Sequence, residues 1–257
     1  MEAQHDQHDT LLEVEDLLVA FGGVHALDGV DLTVARGSIT GLIGPNGAGK
    51  TTLIDAVTGF VSPTRGSIRF AGRDVTGLAP SRRAELGLVR TFQSLELFED
   101  LGVGDNLRVA AEPEPWWGIL VEAIGRDVST TVEADISWAL GLMGLDHVGE
   151  ALPSELSHGQ RRLVSVARAL AARPELLLLD EPAAGLDTTE TELLGEHLGL
   201  LPDAGVTMLL IDHDMGLVLD ICTHLHVLDF GHVIATGSPE EVRTDPAVIA
   251  AYLGAPT

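Results

Sequence analysis

Residues 39–58 read ITGLIGPNGAGKTTLIDAVT, and this stretch decides the fold. It opens on an apolar run, Ile39–Ile43, which reads as a strand. Next comes Gly44-Pro45-Asn46-Gly47-Ala48-Gly49-Lys50-Thr51, the spacing G-x-x-x-x-G-K-[ST] of a phosphate-binding loop. A helix is expected from Lys50 to Thr58, stopped by Gly59. The glycines let successive backbone N–H groups point into one concavity, and the helix N-terminus adds roughly half a positive charge. Lys50 is placed to contact β- and γ-phosphates, and the Thr51 hydroxyl to ligand Mg²⁺. Lys50 is also the one lysine of the chain, against fourteen arginines. A compact ammonium on a flexible stem suits a site between two phosphates better than a planar guanidinium does.

Upstream, residues 11–43 alternate short apolar runs with turns and read as strands, and GSIRFA (66–71) reads as another. From about Ser94 to Leu156 the strand pattern gives way to helical stretches, LGVGDNLRVA and TVEADISWALGLMGL among them. Strands return at LLLLD (176–180), VTMLLID (206–212) and HLHVLD (224–229). The layout is a parallel sheet with helices, interrupted by a helical subdomain.

Four leucines in a row suit a central strand buried on both faces, which puts Asp180 and Glu181 at its carboxyl end, where open α/β sheets bind ligands. Asp180 is placed to hold Mg²⁺ through water and Glu181 to polarise an attacking water. In LSHGQRRLVSVARALAARP, Leu163, Val166, Ala167 and Leu170 form one helix face, and Pro174 marks the end. Ser157 and Gln160 have capping-box spacing, so this stretch either simply starts a helix or presents an exposed anion site. Spacing leaves both readings open. A second anion site would serve another chain's nucleotide.

Composition narrows the function class. The chain has 257 residues, 45% apolar, with a formal net charge of −24. That balance argues against nucleic-acid binding, which shows a basic patch or stripe. An anionic ligand must be drawn by local groups, not by the overall field. The single cysteine, Cys222, forms no internal disulfide and fits a reducing compartment. Residues 1–10 are polar and acidic; they read as a disordered tail, not as a secretory signal, and His5 and His8 as part of that tail. No run of 18 apolar residues is present.

The ordered set GPNGAGKT, RTFQ (90–93), LSHGQ (156–160), LLLLDEP (176–182), AGLD (184–187) and IDHD (211–214) resembles the ATP-binding-cassette (ABC) ATPases from about Leu11 to Gly254. The resemblance implies an α/β fold with a RecA-like P-loop core, an antiparallel β subdomain and an inserted helical subdomain. The core is expected at about 11–93 and 166–257 and the helical part at about 94–165. The cofactors implied are ATP and Mg²⁺. Gly44, Pro45, Asn46, Gly47, Ala48, Gly49, Lys50, Thr51 and Thr52 match the nucleotide-binding run. Phe21, 23 positions before Gly44, matches the aromatic that stacks on adenine. Gln93 matches the residue that touches Mg²⁺ and the water, and Asp180 and Thr51 the other metal positions. Glu181 and His213 match the residues that promote hydrolysis. Ser157, Gly159 and Gln160 match the signature that reaches the opposite subunit's γ-phosphate, and Asp187 the interface aspartate. His158 departs from the pattern, standing where the signature has a glycine.

The family also implies a homodimer or a heterodimer with a related ATPase, integral-membrane permease subunits, and indirectly an extracytoplasmic solute-binding protein, but no nucleic acid. The location implied is the cytoplasmic face of the cell membrane. FGGVHALDGVDL (21–32), VTGLAPSRRAELGLVRTFQSLELFEDLGVGDNL (75–107) and GSPEEVRTDPAVIAAYLG (237–254) resemble the branched-chain or hydrophobic amino-acid uptake ATPases. Urea and short-amide importers share much of this text, and lipopolysaccharide-type exporters some of it. Chromosome-type cassettes carry far longer coiled-coil insertions, and translation-type chains carry two cassettes. Trp116 and Trp117 are expected either to pack in the helical part or to meet the membrane subunit.

Overall fold

A computed structural model describes residues 10–91, 97–112 and 128–253. Gln93 and the pair Trp116 and Trp117 lie outside these residues, as do 1–9 of the expected tail. Thr10, by contrast, already belongs to the first strand.

The first strands, β1 (Thr10–Phe21) and β2 (Val24–Ala35), form a hairpin. Its turn is Gly22-Gly23, both at positive φ (54° and 88°), as a two-residue hairpin turn of the twist-matched kind requires. With β4 (Arg65–Phe70) and β5 (Arg73–Asp74) they make an antiparallel sheet in the order β2-β1-β4-β5. The second sheet contains β3 (Ile39–Ile43), β6 (Leu88–Arg90), β7 (Leu176–Asp180), β8 (Thr207–Ile211), β9 (His224–Asp229) and β10 (His232–Gly237). Its order is β10-β9-β3-β8-β7-β6, parallel throughout except for β10, which returns antiparallel along β9.

The run LLLLD shows why β7 is central. Leu177 and Leu179 enter one apolar cluster, Leu176 and Leu178 the other, so both sheet faces are covered. On one face lie the antiparallel sheet and α1 (Lys50–Thr58). On the other lie α3 (Val103–Ala111), α4 (Val128–Leu142), α5 (His158–Ala171), α6 (Thr188–Gly199) and α7 (Met215–Ile221). Helix α5 runs unbroken across residues 165 and 166, where the sequence suggested the helical part would end. A short α2 (Pro80–Glu85) precedes β6, and α8 (Pro239–Thr244) and α9 (Pro246–Leu253) close the chain.

The two sheets are stitched by a buried histidine. His226 on β9 donates from Nε2 to the Thr33 carbonyl on β2 (3.0 Å) and accepts at Nδ1 from the Thr236 hydroxyl (3.2 Å). Burial, opposed by the Thr33 contact and aided by neighbouring His224, pushes its pKa from the ordinary 6.5 down to about 4. Between those values the unfolded chain takes up a proton that the folded chain refuses. Stability from this group is therefore complete above about pH 6.5, falls as pH is lowered toward 4, and is flat below, a swing of about 3 kcal/mol. Denaturant unfolding of the native chain and of His226→Gln across that window checks this. Parallel pH curves for the two would show that His226 is not the source.

Candidate functional site

Strand β3 ends at Ile43, and the loop 44–49 turns into α1 under tight steric constraint. A Cβ on Gly44 would lie 2.0 Å from the Leu228 carbonyl, so only glycine lets the loop pass β9. Gly49, the N-cap of α1, sits at φ 109°, and no side chain caps the helix there. Its first N–H groups thus face the loop's concavity. Lys50 Nζ folds back and donates to the Gly44 and Pro45 carbonyls (2.7 and 3.0 Å). Burial lowers the Lys50 pKa, against the opposing pull of Glu181 and Asp180.

Asn46 to Thr52 line a cavity of about 490 Å³, within the ~300–1,000 Å³ of small-molecule sites. Its other walls are Asp180 and Glu181, Val24 to Ala26 from β2, Ile211, and Phe230 and Gly231 from the β9–β10 turn. The structure thus brings the phosphate loop and the acidic pair to one cavity, 130 positions apart in the chain from Lys50 to Asp180. Phe21 stands outside this lining, half-exposed across the hairpin turn and paired with Val24. Among the described residues, no cluster of three or more His, Cys, Asp or Glu makes a metal site by itself. A cation held by one or two protein groups and the ligand's own oxygens, as Mg²⁺ on phosphates is, fits Thr51 and Asp180 on one cavity wall.

Two networks that motif spacing alone did not reveal, one part-buried and one buried, hold the acidic loop. Arg90, the last residue of β6, donates to Asp180 Oδ2 (2.7 Å) and to Asp55 Oδ1 on α1 (2.6 Å). One guanidinium therefore ties the carboxyl end of β7 to the phosphate-loop helix. Its position as the first letter of RTFQ was the only sequence signal. Buried Asp212 accepts from the Ala183 N–H (3.0 Å) and the Asp214 N–H (2.9 Å), and His213 Nδ1 lies 3.6 Å from it. It joins the loop after β7 to the loop after β8. Glu181 itself takes φ 50°, with its N–H bonded to the Ile211 carbonyl (2.8 Å). A non-glycine residue in that left-handed region is strain held by its surroundings, of the kind that gathers at working sites. His213 is exposed and, like Gly44 and Pro45, is not a wall of the cavity.

A model of the ABC transporter family matches residues 27–184. The chain belongs to the ABC transporter family. A second model, of the branched-chain amino acid ATP-binding cassette transporter, matches residues 232–256. The cassette is 40% identical over 250 residues to the high-affinity branched-chain amino acid transport ATP-binding protein LivG of Salmonella typhimurium, covering 95% of this chain and 98% of that one. It is equally similar, 40% over the same shares, to the corresponding protein BraF of Pseudomonas aeruginosa. The crystal structure of an ATP-binding cassette of an ABC transporter in its ADP conformation superposes with a TM-score of 0.83 at 33% identity, covering 95% of this chain and 99% of that one. The cassette is accordingly a nucleotide-binding ATPase of a transporter.

The cassette's signature stretch resolves into a capped helix. Ser157 Oγ accepts from the Gln160 N–H (3.2 Å) and Gln160 Oε1 from the Ser157 N–H (3.0 Å), closing the expected capping box. The Gly159 N–H goes to Glu190 Oε1 (3.0 Å), on α6, which Asp187 caps in the same way. A Cβ at position 159 would lie 2.8 Å from that carboxylate. Ser157, Gly159, Gln160 and Asp187 are not walls of the phosphate-loop cavity.

Proposed function

We propose that this cassette is the ATP-binding, ATP-hydrolysing subunit of a membrane importer for branched-chain or other hydrophobic amino acids. The match of residues 232–256 to the branched-chain cassette model carries this reading, and the LivG and BraF relatives support it. In it, the N–H groups of the loop and of the first turn of α1 hold the phosphates, and Lys50 exchanges the Gly44 and Pro45 carbonyls for phosphate oxygens. Mg²⁺, when bound, neutralises charge on those oxygens, with Thr51, Asp180 and Gln93 as its protein-side holders. Glu181 takes the proton of the attacking water, aided by His213 and Gln93. Ser157, Gly159, Gln160 and Asp187 meet the nucleotide of a second copy or of a related ATPase. Because the Glu190 carboxylate occupies the Gly159 N–H, it must yield that donor when a phosphate arrives.

The helical segment 94–165 passes closure to the permease subunits, on the cytoplasmic face of the membrane, and the solute-binding protein acts from the other side. Vesicles carrying this chain with its permeases and binding protein test the reading. Leucine, isoleucine or valine should raise ATP turnover severalfold and urea should not. Stimulation by urea with none by the amino acids would overturn it.

A further inference from the structure

On the wall of the cavity, in a turn bonded to the phosphate loop, stands an aromatic ring that no motif accounts for. The β9–β10 hairpin turns at Phe230-Gly231, and this turn is pinned from both sides. The Gly231 N–H donates to the Ala48 carbonyl in the phosphate loop (2.9 Å), and the Gly231 carbonyl accepts from the Asp28 N–H (2.9 Å). A Cβ on Gly231 would meet the Ala26 carbonyl at 2.9 Å, so the turn fits against β2 with no room to shift. Phe230 is thereby held at a fixed place relative to Lys50. It sits at φ 43°, a backbone region in which a bulky aromatic is a genuine outlier. Its side chain adds nothing to the core: the residue is 85% exposed, while its neighbours Leu228 and Val227 are fully buried.

A hairpin tip ordinarily takes Asn, Asp or Gly at such a φ, because these avoid both the strain and the exposed ring. Strain and apolar exposure together at one residue, on the wall of a ligand cavity, are unfavourable alone and become useful only when something covers the ring. The cavity's walls divide by chemistry. Asn46 to Thr52 with the acidic pair form its phosphate and metal side, while Val24, His25 and Phe230 supply apolar and ring surface. Phe21, the aromatic that the family resemblance designates for the base, is not one of these walls.

We propose that Phe230 is a base-stacking residue of the nucleotide site, offering the purine a ring face that the phosphate loop cannot supply. The inference rests on the reading of this cavity as the nucleotide site. Stacking on an aromatic face is tolerant of base identity and is lost on truncation. Phe230 therefore favours a base-bearing triphosphate over a bare one.

Calorimetric titration of the full chain with ATP and with inorganic tripolyphosphate, which keeps the phosphates and lacks the base, tests it. Phe230→Asn is the variant of choice because Asn tolerates the left-handed backbone. ATP binding should weaken about tenfold, tripolyphosphate binding should stay within about twofold, and Phe230→Trp should restore ATP binding. Unchanged ATP affinity, equal weakening of both ligands, or a loss confined to dimer formation would overturn the proposal. Lys50→Ala, measured alongside, should lose both ligands. If it keeps ATP, the nucleotide-site reading itself fails, an outcome separate from any behaviour of Phe230.

Discussion

Glu181→Gln should lower steady-state ATP turnover by about 10³-fold and leave ATP binding within a few-fold of the native chain. On the proposed assignment the carboxylate is the base that accepts the water's proton. The amide has the same shape and hydrogen-bonding reach but no basicity near neutral pH. On the same assignment binding survives, because it gives the phosphate contacts to the loop, α1 and Lys50, not to Glu181. The fold should survive as well. The unusual backbone at 181 is held by the Ile211 carbonyl and by the Asp212 carboxylate on Ala183, and glutamine changes neither contact. Steady-state hydrolysis and equilibrium ATP binding on one preparation separate the two effects. Full turnover in the variant would remove Glu181 as the base. Loss of binding together with turnover would show that the carboxylate positions the nucleotide instead.

The parts of this site that were legible in the sequence are those whose cause is local. Strand Ile39–Ile43, helix Lys50–Thr58 and strand Leu176–Asp180 fall where the apolar runs and the glycines at 44, 49 and 59 put them. The capping box at Ser157 and Gln160 was legible for the same reason, since its partners are three residues apart. What stayed hidden depends on contacts between distant segments. Strand β6 is three residues ending in an arginine, and no periodicity announces it. It exists because Leu88 to Arg90 add to the edge of β7, and its arginine then finds Asp180 and Asp55. Phe230 looks like an ordinary turn residue until the Gly231–Ala48 bond places it beside the phosphate loop. The signature shows a third case. Spacing allowed a helix cap or an anion site, and the structure shows the cap formed with Glu190 on the Gly159 N–H, a partner 31 residues away.

Arg83→Met should cost about 4 kcal/mol of stability. Arg83 is 1% exposed, and the four carbonyls around it take its protons. Nη1 donates to Ala56 and Val57 (2.7 and 2.6 Å), Nε to Leu78 (3.0 Å) and Nη2 to Thr76 (2.9 Å). The first two carbonyls belong to the last turn of α1, where helix geometry leaves acceptors unpaired and the dipole favours a cation. Burial lowers the guanidinium pKa, with Asp74 opposing, and among the described residues its hydrogen bonds go to carbonyls and not to a carboxylate. The helix end and the carbonyl cage therefore do the work that a counter-ion would do elsewhere. Gly59 is part of the same device: a Cβ there would lie 2.9 Å from Arg83 Nε, so the residue that ends α1 also makes room for its cap. Methionine fills much of the volume but takes the donors from four carbonyls. Ala56 keeps a second one, the Gly59 N–H (3.2 Å), while the buried Val57 carbonyl is left without its guanidinium partner. Lysine should rescue little, because one ammonium cannot span acceptors spread around a planar fork. Denaturant unfolding of both variants measures this, and a cost below about 1 kcal/mol for Arg83→Met would remove Arg83 as the cap. Since Lys50 and Thr51 open the helix that Arg83 closes, the methionine variant that still folds should also bind ATP more weakly. Helix α1 has only nine residues, too few to hold its first turn in place if its last turn frays.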